Sequence, residues 1–308
     1  MLYDVCLGRA PDDEGLAFWT EQLRTTGDAP AVLSGILASA EAKARRGVPA
    51  AEGPSAIAEQ ALAALGRRPR VVDIGAQSLG ADSHAYAALA RLTPLDIVGF
   101  DPLSERLDER SAAETGAGEL TLLPYAVGDG GTHTLYINNE DATSSLFPLN
   151  ERHNADFNHL GTLHTVRTEE VETRRLDDIL PPGPIDFFKL DIQGAELMVL
   201  EHAAAALDVA GVVHCEVEFG PIYQGQPLYP HVQLRLAEHG YYLVDFHGMA
   251  RYHYLDGPGP AADRLLWADA VFFRESDDPE VLAAQALVAE VVYEKHSLAA
   301  HLLSRAGH

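Results

Sequence analysis

The 308-residue sequence has little cysteine, little tryptophan and few basic side chains. Its two cysteines, Cys6 and Cys215, lie far apart, so they do not make a disulfide framework, and a reducing compartment suits them. No apolar run is long enough to span a bilayer, and the first residues lack the basic-then-apolar layout of a signal peptide. We therefore expect a cytoplasmic protein without a membrane span.

Positive charge is scarce. The chain has 22 basic and 46 acidic side chains, for a formal net charge of -24. Such a field repels nucleic acid and anionic membranes unless a local basic patch overcomes it. The one basic cluster, Arg67, Arg68 and Arg70, directly precedes an apolar strand and is interpreted as solvating its start. A nucleic-acid partner is disfavoured.

A glycine is missing where dinucleotide-binding proteins need one. The predicted strand 71–74 runs into a turn at Gly75, but Gln77 occupies the position of the second glycine in G-x-G-x-x-G. That glycine lets a pyrophosphate approach the backbone, so its absence argues against a nicotinamide-dependent oxidoreductase. With Asp73 at the end of the strand, the loop favours a ligand without phosphates, such as S-adenosylmethionine.

Two later segments add to this ligand site. Asp101-Pro102 ends a second predicted strand, about 20 positions beyond the glycine loop, which is the spacing of a ribose-hydroxyl acceptor. Small residues, Ala126 and Val127, follow a third strand and could lie flat against an adenine ring. The next residues, 129–131, also predict a hairpin turn. These segments indicate an open α/β sheet with a ligand at one edge.

The segment 185–196 is the most informative part of the chain. A short buried strand ends at Asp191, and a helical pattern begins near Gly194. A carboxylate at the carboxyl end of such a strand lies where open α/β sheets bind ligands. Alternatively, Asp191 only caps the following helix, as aspartate often does. We expect it to do both.

A further buried strand carries polar residues on one face. Alternation places His214, Glu216 and Glu218 together, and Glu218 ends this strand at the same edge as Asp191. Tyr223 follows in a turn-rich loop at that edge. For Glu218, a structural hydrogen bond to the neighbouring loop is the alternative to a catalytic role.

The segment 138–168 is polar and carries His153, His159 and His164. Their spacing fits no compact metal motif such as H-E-x-x-H, so a metal site is not favoured. The length of the segment indicates a lid or substrate loop.

The chain divides by composition into four parts. We predict a helical module at 1–46, a linker and leading helix at 47–69, an α/β domain at 70–275 and a helical tail at 276–308. The apolar residues of the tail leave two packings open, against the domain or against a second subunit. A homodimer through the C-terminal helices is therefore a prediction.

Seven motifs, in order from about residue 70 to 274, resemble the FkbM family of S-adenosylmethionine-dependent methyltransferases. They are VVDIGAQ, VGFDP, LPYAVGD, TSSL, IDFFKLDIQGAELMVLEHA, EVEFGPIYQGQPL and ADAVFF. Gln193 departs from the pattern, since many relatives have glutamate there, and Gln77 replaces a commoner asparagine. Gln193 is where we expect altered specificity. The first residues, LYDVCLGRAPDDEGLAFWTEQL, resemble part of a bacterial helical domain of unknown function.

The resemblance implies a fold, an activity and a site. The fold is α/β: a Rossmann-like class I methyltransferase sheet of seven mostly parallel strands, the last antiparallel, with an N-terminal helical unit and a C-terminal helical tail. The activity is methyl transfer from S-adenosylmethionine to a hydroxyl group on a sugar, glycan or natural product. A non-catalytic scaffold built on the same fold is the main alternative.

By position, the resemblance also assigns residues. Catalytic candidates are Asp191 and Glu218, with His214 and Tyr223 ranked lower. A divalent ion bridging Asp191 and Glu218 is possible but not favoured. The implied cofactor contacts are Asp73, Gly75, Ala76, Gln77, Asp101, Pro102, Ala126, Val127 and Asp191.

Overall fold

The computed structural model describes residues 19–20, 54–76, 84–113, 118–257 and 262–308. The chain divides into two units, Met1–Ser55 and Ala56–His308. The predicted helical module lies almost wholly outside the described residues, as does Gln77, and the predicted domain boundaries stay predictions. The second unit carries the site.

The strands of the described residues were assigned in chain order. They are β1 (Arg70–Ile74), β2 (Asp96–Phe100), β3 (Glu119–Leu123), β4 (Ala126–Val127), β5 (Thr132–Asn138), β6 (Thr165–Arg174), β7 (Ile185–Leu190), β8 (Ala210–Glu218), β9 (Tyr241–Tyr252) and β10 (Arg264–Arg274).

Seven of these strands form one sheet in the spatial order β3-β2-β1-β7-β8-β10-β9. The first five run parallel to one another, and β10 is antiparallel to both of its neighbours. The predicted fold class is confirmed. Strands β7 and β8 are buried along their whole length, because helices cover both faces of a parallel sheet.

The helices of the described residues lie on the two faces of the sheet. They are α1 (Ala56–Leu65), α2 (Ala87–Leu92), α3 (Ser104–Ala113), α4 (Glu151–Asn154), α5 (Leu176–Ile179), α6 (Glu196–Glu201), α7 (Ala204–Val209), α8 (Tyr229–Glu238), α9 (Pro279–Val291) and α10 (His296–Arg305). None of them is long and apolar enough to cross a membrane.

The two C-terminal helices are part of the core. Leu282 and Val288 of α9 and Leu302 of α10 are buried in one cluster with α1 and with Phe187 of the central strand β7. The apolar surface that predicted a homodimer is therefore covered within a single chain, and the prediction of a dimer through these helices finds no support.

A second sheet, of order β4-β6-β5, extends from the same edge as the site. The predicted hairpin turn at 129–131 is present, and it leads into β5. Strand β6 was not predicted, because most of its side chains are polar and exposed. The segment 138–168, predicted to be a lid or substrate loop, contains α4 and two 3₁₀ turns, and its apolar side chains form a small core with residues after β8.

Candidate active site

The turn after β1 touches the turn after β7. Gly75 has a φ of +81°, and a Cβ atom there would lie 2.0 Å from the carbonyl oxygen of Asp191. The sequence predicted that this glycine leaves room for a ligand. In the structure the room beside its Cα is filled by the Asp191 backbone, so the glycine first serves to bring the two turns together.

Asp73 lies beneath the glycine turn and is fully buried. Its Oδ2 accepts hydrogen bonds from the Tyr86 hydroxyl (2.7 Å) and from Arg110 Nη1 (2.9 Å). Burial acts to raise the pKa of Asp73, but the positive charges of Lys189 and Arg110 outweigh it, and the pKa is lowered. Predicted as a cofactor contact, Asp73 lies instead under the turn and supports it.

Lys189 links the two turns from below. Its Nζ donates to the Gly75 carbonyl oxygen (3.2 Å) and lies 3.2 Å from Asp73 Oδ1 and 3.4 Å from Asp191 Oδ2. Burial acts to lower the pKa of Lys189, but the two carboxylates outweigh it, and the pKa is raised. The lysine is therefore a fixed positive charge between three acceptors, and the predictions did not include it.

A cavity, here called the glycine-loop cavity, opens above these turns. Asp101 is nearly buried, and its Oδ1 accepts the Leu103 N–H (2.8 Å), while its other oxygen has no bond within the described residues. Burial raises the pKa of Asp101. The cavity is lined by Ile74, Gly75, Asp101, Pro102, Leu103, Ala126, Val127, Leu135, Asp141, Ala142, Ser144, Ser145, Leu146, Asp191, Ile192, Gln193 and Ala195.

Most predicted cofactor contacts therefore meet at one cavity. Ala76 is an exception, since it is fully buried and its carbonyl oxygen accepts a hydrogen bond from Arg110 Nη1 (2.9 Å). Gln77 lies outside the described residues.

The turn 191–195 is held by Glu196 rather than by Asp191. Oε1 of Glu196 accepts the N–H groups of Ile192 (2.8 Å) and Gly194 (3.2 Å). Helix α6 begins at Glu196, and its N-cap residue, Ala195, makes no side-chain cap. The prediction that Asp191 caps the helix is wrong, because the helix begins five residues after it. Burial raises the pKa of Glu196 to about 7.

A second cavity, here called the carboxylate cavity, adjoins the first. Its volume is about 280 Å³. Two predicted catalytic residues, Glu218 and Tyr223, contribute to it together with Asp191. It is lined by Ala142, Thr143, His159, Leu160, Leu163, Asp191, Gln193, Glu216, Glu218, Ile222, Tyr223, Tyr252 and Trp267.

Gln193 connects the polar groups of this cavity. Its Nε2 donates to Glu216 Oε2 (2.6 Å) and to Asp191 Oδ1 (3.1 Å), and its Oε1 accepts the Tyr223 hydroxyl (2.9 Å). Its backbone has a φ of 60°, an uncommon value for a residue with a side chain. The Ser145 hydroxyl donates to the Gln193 carbonyl oxygen (2.6 Å) and helps to hold this conformation.

The carboxyl groups at the end of β8 are nearly buried. Burial, and then the charges of Asp191 and Glu218, raise the pKa of Glu216 well above its usual range. Burial and Glu196 raise the pKa of Glu218 well above its usual range as well. Burial and Glu216 raise the pKa of Tyr223 far enough that its phenol keeps its proton.

The structure does not bring His214 to either cavity. It lies on the same face of β8 as Glu216 but deeper, and its Nδ1 shares a hydrogen bond with the Tyr293 hydroxyl (2.9 Å). The Tyr293 ring stacks on it, with 6.2 Å between centroids. This histidine, a predicted acid–base candidate, packs in the core beside α9.

Several cavity residues were not predicted as site residues. Glu216 was visible by alternation on the face of β8 that carries Glu218, and Lys189 precedes Asp191 by two residues. Tyr252 and Trp267, by contrast, come from β9 and β10, and no local pattern marks them. The indole Nε1 of Trp267 donates to the Tyr252 hydroxyl (3.2 Å) and orients the two rings.

Within the described ranges, no group of three or more histidine, cysteine, aspartate or glutamate side chains is arranged to hold a metal ion. Of the three histidines in the segment 138–168, only His159 lines the carboxylate cavity.

The fold and the site together define a Rossmann-like α/β enzyme fold with a ligand cavity at the carboxyl edge of the sheet. Residues 73–243, more than half of the chain, match the methyltransferase FkbM domain, and the chain belongs to that family. Residues 1–46 match a domain of unknown function, DUF4214. Both predicted resemblances are confirmed.

Two solved structures illustrate the likeness in fold. The methyltransferase FkbM from Methylobacillus flagellatus KT is 16% identical, with a TM-score of 0.37; the match covers 85% of this chain and 71% of that one. LepI, in a complex with S-adenosylmethionine, is 13% identical, with a TM-score of 0.35; the match covers 83% of this chain and 55% of LepI. No curated protein matches the chain.

S-adenosylmethionine is the cofactor of the FkbM methyltransferases, and the glycine-loop cavity fits it. Gly75, Ala126 and Val127 provide small side chains along its wall, and Asp101 offers a nearly buried carboxylate oxygen that is still available to accept a hydroxyl proton. The lining includes no lysine or arginine, as expected for a ligand without phosphates.

Proposed function

We propose that this methyltransferase binds S-adenosylmethionine in the glycine-loop cavity and methylates a hydroxyl group in the carboxylate cavity. The observation that carries the proposal is that the two cavities meet: Asp191 and Gln193 line both. Methyl transfer needs the acceptor oxygen in line with the bond that breaks, and adjoining cavities satisfy that requirement. The cofactor supplies a methyl group on a positively charged sulfur.

On the donor side, Asp101 is proposed to accept hydrogen bonds from the ribose hydroxyl groups. Its Oδ1 is held by the Leu103 N–H, which fixes the direction of the carboxylate. Ala126 and Val127 form an apolar wall suited to the adenine ring, with Pro102 and Leu103 beside Asp101.

On the acceptor side, the cavity offers hydrogen-bond acceptors and flat apolar rings. Glu216, Glu218 and Asp191 provide carboxyl oxygens, which accept from hydroxyl groups and repel anionic acceptors. Tyr252 and Trp267 provide ring surfaces of the kind that pack against the apolar face of a sugar. At about 280 Å³ the cavity is at the small end of ligand pockets, which suits one sugar ring or a similar part of a natural product.

The other partner predictions accompany this proposal. A small-molecule or glycan acceptor is consistent with the acidic cavity, and the net charge of -24 still disfavours nucleic acid. Cytoplasmic location remains a prediction.

Binding and transfer test the proposal separately. Calorimetry should detect binding of both S-adenosylmethionine and S-adenosylhomocysteine by the full chain. Incubation with methyl-labelled cofactor and a panel of sugars, glycans and hydroxylated natural products should then transfer label, with a mass gain of one methylene on the product. Absence of binding would favour the non-catalytic scaffold. Binding with label transferred only to an amine would overturn hydroxyl methylation.

A further inference from the structure

Gln193 is the only residue described here that both lines the two cavities and donates to two carboxylates. Its two N–H groups are shared between Asp191 and Glu216, so the amide is fully used as a donor. Glu216 lines only the carboxylate cavity, yet this 2.6 Å bond joins it to the boundary with the glycine-loop cavity. The amide therefore fixes where the Glu216 carboxylate lies relative to a bound donor.

The three carboxyl groups of the cavity are not equivalent. Asp191 already pairs with a positive charge, since its Oδ2 lies 3.4 Å from Lys189 Nζ. Glu218 lines only the carboxylate cavity and has no hydrogen bond to Gln193. Glu216 combines access to the acceptor with a direct link to the boundary between the cavities.

We propose that Glu216 takes the proton of the acceptor hydroxyl, and that Gln193 positions it for that step and couples its charge to that of the donor. This inference rests on the proposed function. In the balanced step, the acceptor oxygen bonds to the methyl carbon and the bond from carbon to sulfur breaks with its electron pair on sulfur. The hydroxyl proton passes to the Glu216 carboxylate, which becomes neutral as the positive charge on sulfur disappears.

The groups that face Glu216 are acidic and come from several elements. They include Glu218 on the same strand, Glu196 on α6, Asp269 directly opposite on β10, and Asp191. Tyr223 lies on the far side of the Gln193 amide, and the buried His214 is two residues earlier on the same face of β8.

This surrounding sets the charge of Glu216 in each state. Crowded by carboxylates and buried, Glu216 has a raised pKa and holds a proton in the ligand-free protein at neutral pH. A cation in the neighbouring cavity favours the ionised form, so binding of S-adenosylmethionine expels the proton and readies the base. S-adenosylhomocysteine has a neutral sulfur and gives no such effect.

The test is a count of protons released on binding. Each ligand is titrated into the full chain by calorimetry at neutral pH, in two buffers that differ in ionisation enthalpy. Their difference gives the protons exchanged. For the wild type, S-adenosylmethionine should release more protons than S-adenosylhomocysteine, by up to about one per site.

Three variants assign that proton. Glu216→Gln should abolish the difference between the two ligands, while Glu218→Gln should keep it. Gln193→Asn should also lose it, because asparagine tolerates a positive φ but its side chain is too short to bridge the two carboxylates. Circular dichroism and the affinity for S-adenosylhomocysteine show whether each variant is folded.

The outcomes separate the two proposals. Failure of both ligands to bind would overturn the proposed function. Binding of both with equal proton release in the wild type, or a difference that persists in Glu216→Gln, would overturn the assignment of Glu216. A difference unchanged in Gln193→Asn would overturn the positioning role.

Discussion

The ammonium group of Lys189 lies 3.2 Å from Asp73 Oδ1 and joins β7 to β1 through an ion pair between two nearly or fully buried side chains. The same ammonium contacts Gly75 and Asp191, so both turns that border the cavities are held by one charge. The geometry of the site therefore depends on a residue that lines neither cavity.

Lys189→Met should destabilise the protein by about 3–5 kcal/mol, because it leaves the buried Asp73 with one fewer positive partner. Urea unfolding measures this. The double variant Lys189→Met with Asp73→Asn should lose less than the sum of the two single variants, since both charges of the pair are then absent. A strictly additive result would contradict a direct ion pair.

Gly75→Ala should destabilise the protein far more than Gly225→Ala. Both glycines have a positive φ, but a Cβ at Gly75 would overlap the Asp191 carbonyl, whereas one at Gly225 meets nothing within 4 Å. The Gly225 variant should show only the conformational cost, about 1–2 kcal/mol. Thermal unfolding compares the two. Equal losses would show that conformation alone explains Gly75.

Asp101→Ala should weaken binding of S-adenosylhomocysteine by about 1.5–3 kcal/mol, roughly 10- to 100-fold, because a charged acceptor of hydrogen bonds is lost. Asp108→Asn, an exposed change on the helix that follows, is the matched control and should bind normally. Calorimetry measures both affinities. Unchanged affinity in the Asp101 variant would contradict its placement on the ribose.

Glu196→Gln should change how stability depends on pH. In the folded state the pKa of Glu196 is raised from 4.5 to about 7, so the folded protein holds this proton more tightly than the unfolded chain. The wild type therefore loses stability as pH rises from 4.5 to above 7, by about 3 kcal/mol from this group.

Glutamine has no proton to lose, and its Oε1 can still accept the Ile192 and Gly194 N–H groups. The variant should therefore gain on the wild type through that pH interval and stay level with itself below it. Urea unfolding at a series of pH values gives the comparison. Parallel pH profiles would contradict the raised pKa.

The sequence alone was sufficient for the sheet and for much of the donor cavity. Asp101, Ala126 and Val127 follow successive predicted strands, and the carboxyl ends of parallel strands meet at one edge, so their neighbourhood could be predicted from local patterns. The pairing of Asp191 with that edge followed in the same way from the apolar run of β7.

The sequence did not predict strand β6, the core position of His214 or the support role of Asp73. A strand pattern requires one apolar face, and β6 has almost none. For His214 and Asp73, alternation identifies the face of a strand but not how far along it a helix or a turn covers the side chain.

What the sequence by itself determined is the order of the elements and the edge at which the ligand residues collect, because both depend on local periodicity and on where strands end. Only the tertiary structure decided that Gln193 joins Glu216 to Asp191, that Lys189 holds both turns and that Glu216 has a raised pKa. These properties depend on burial and on distances between charges brought together by folding, and no local pattern contains them.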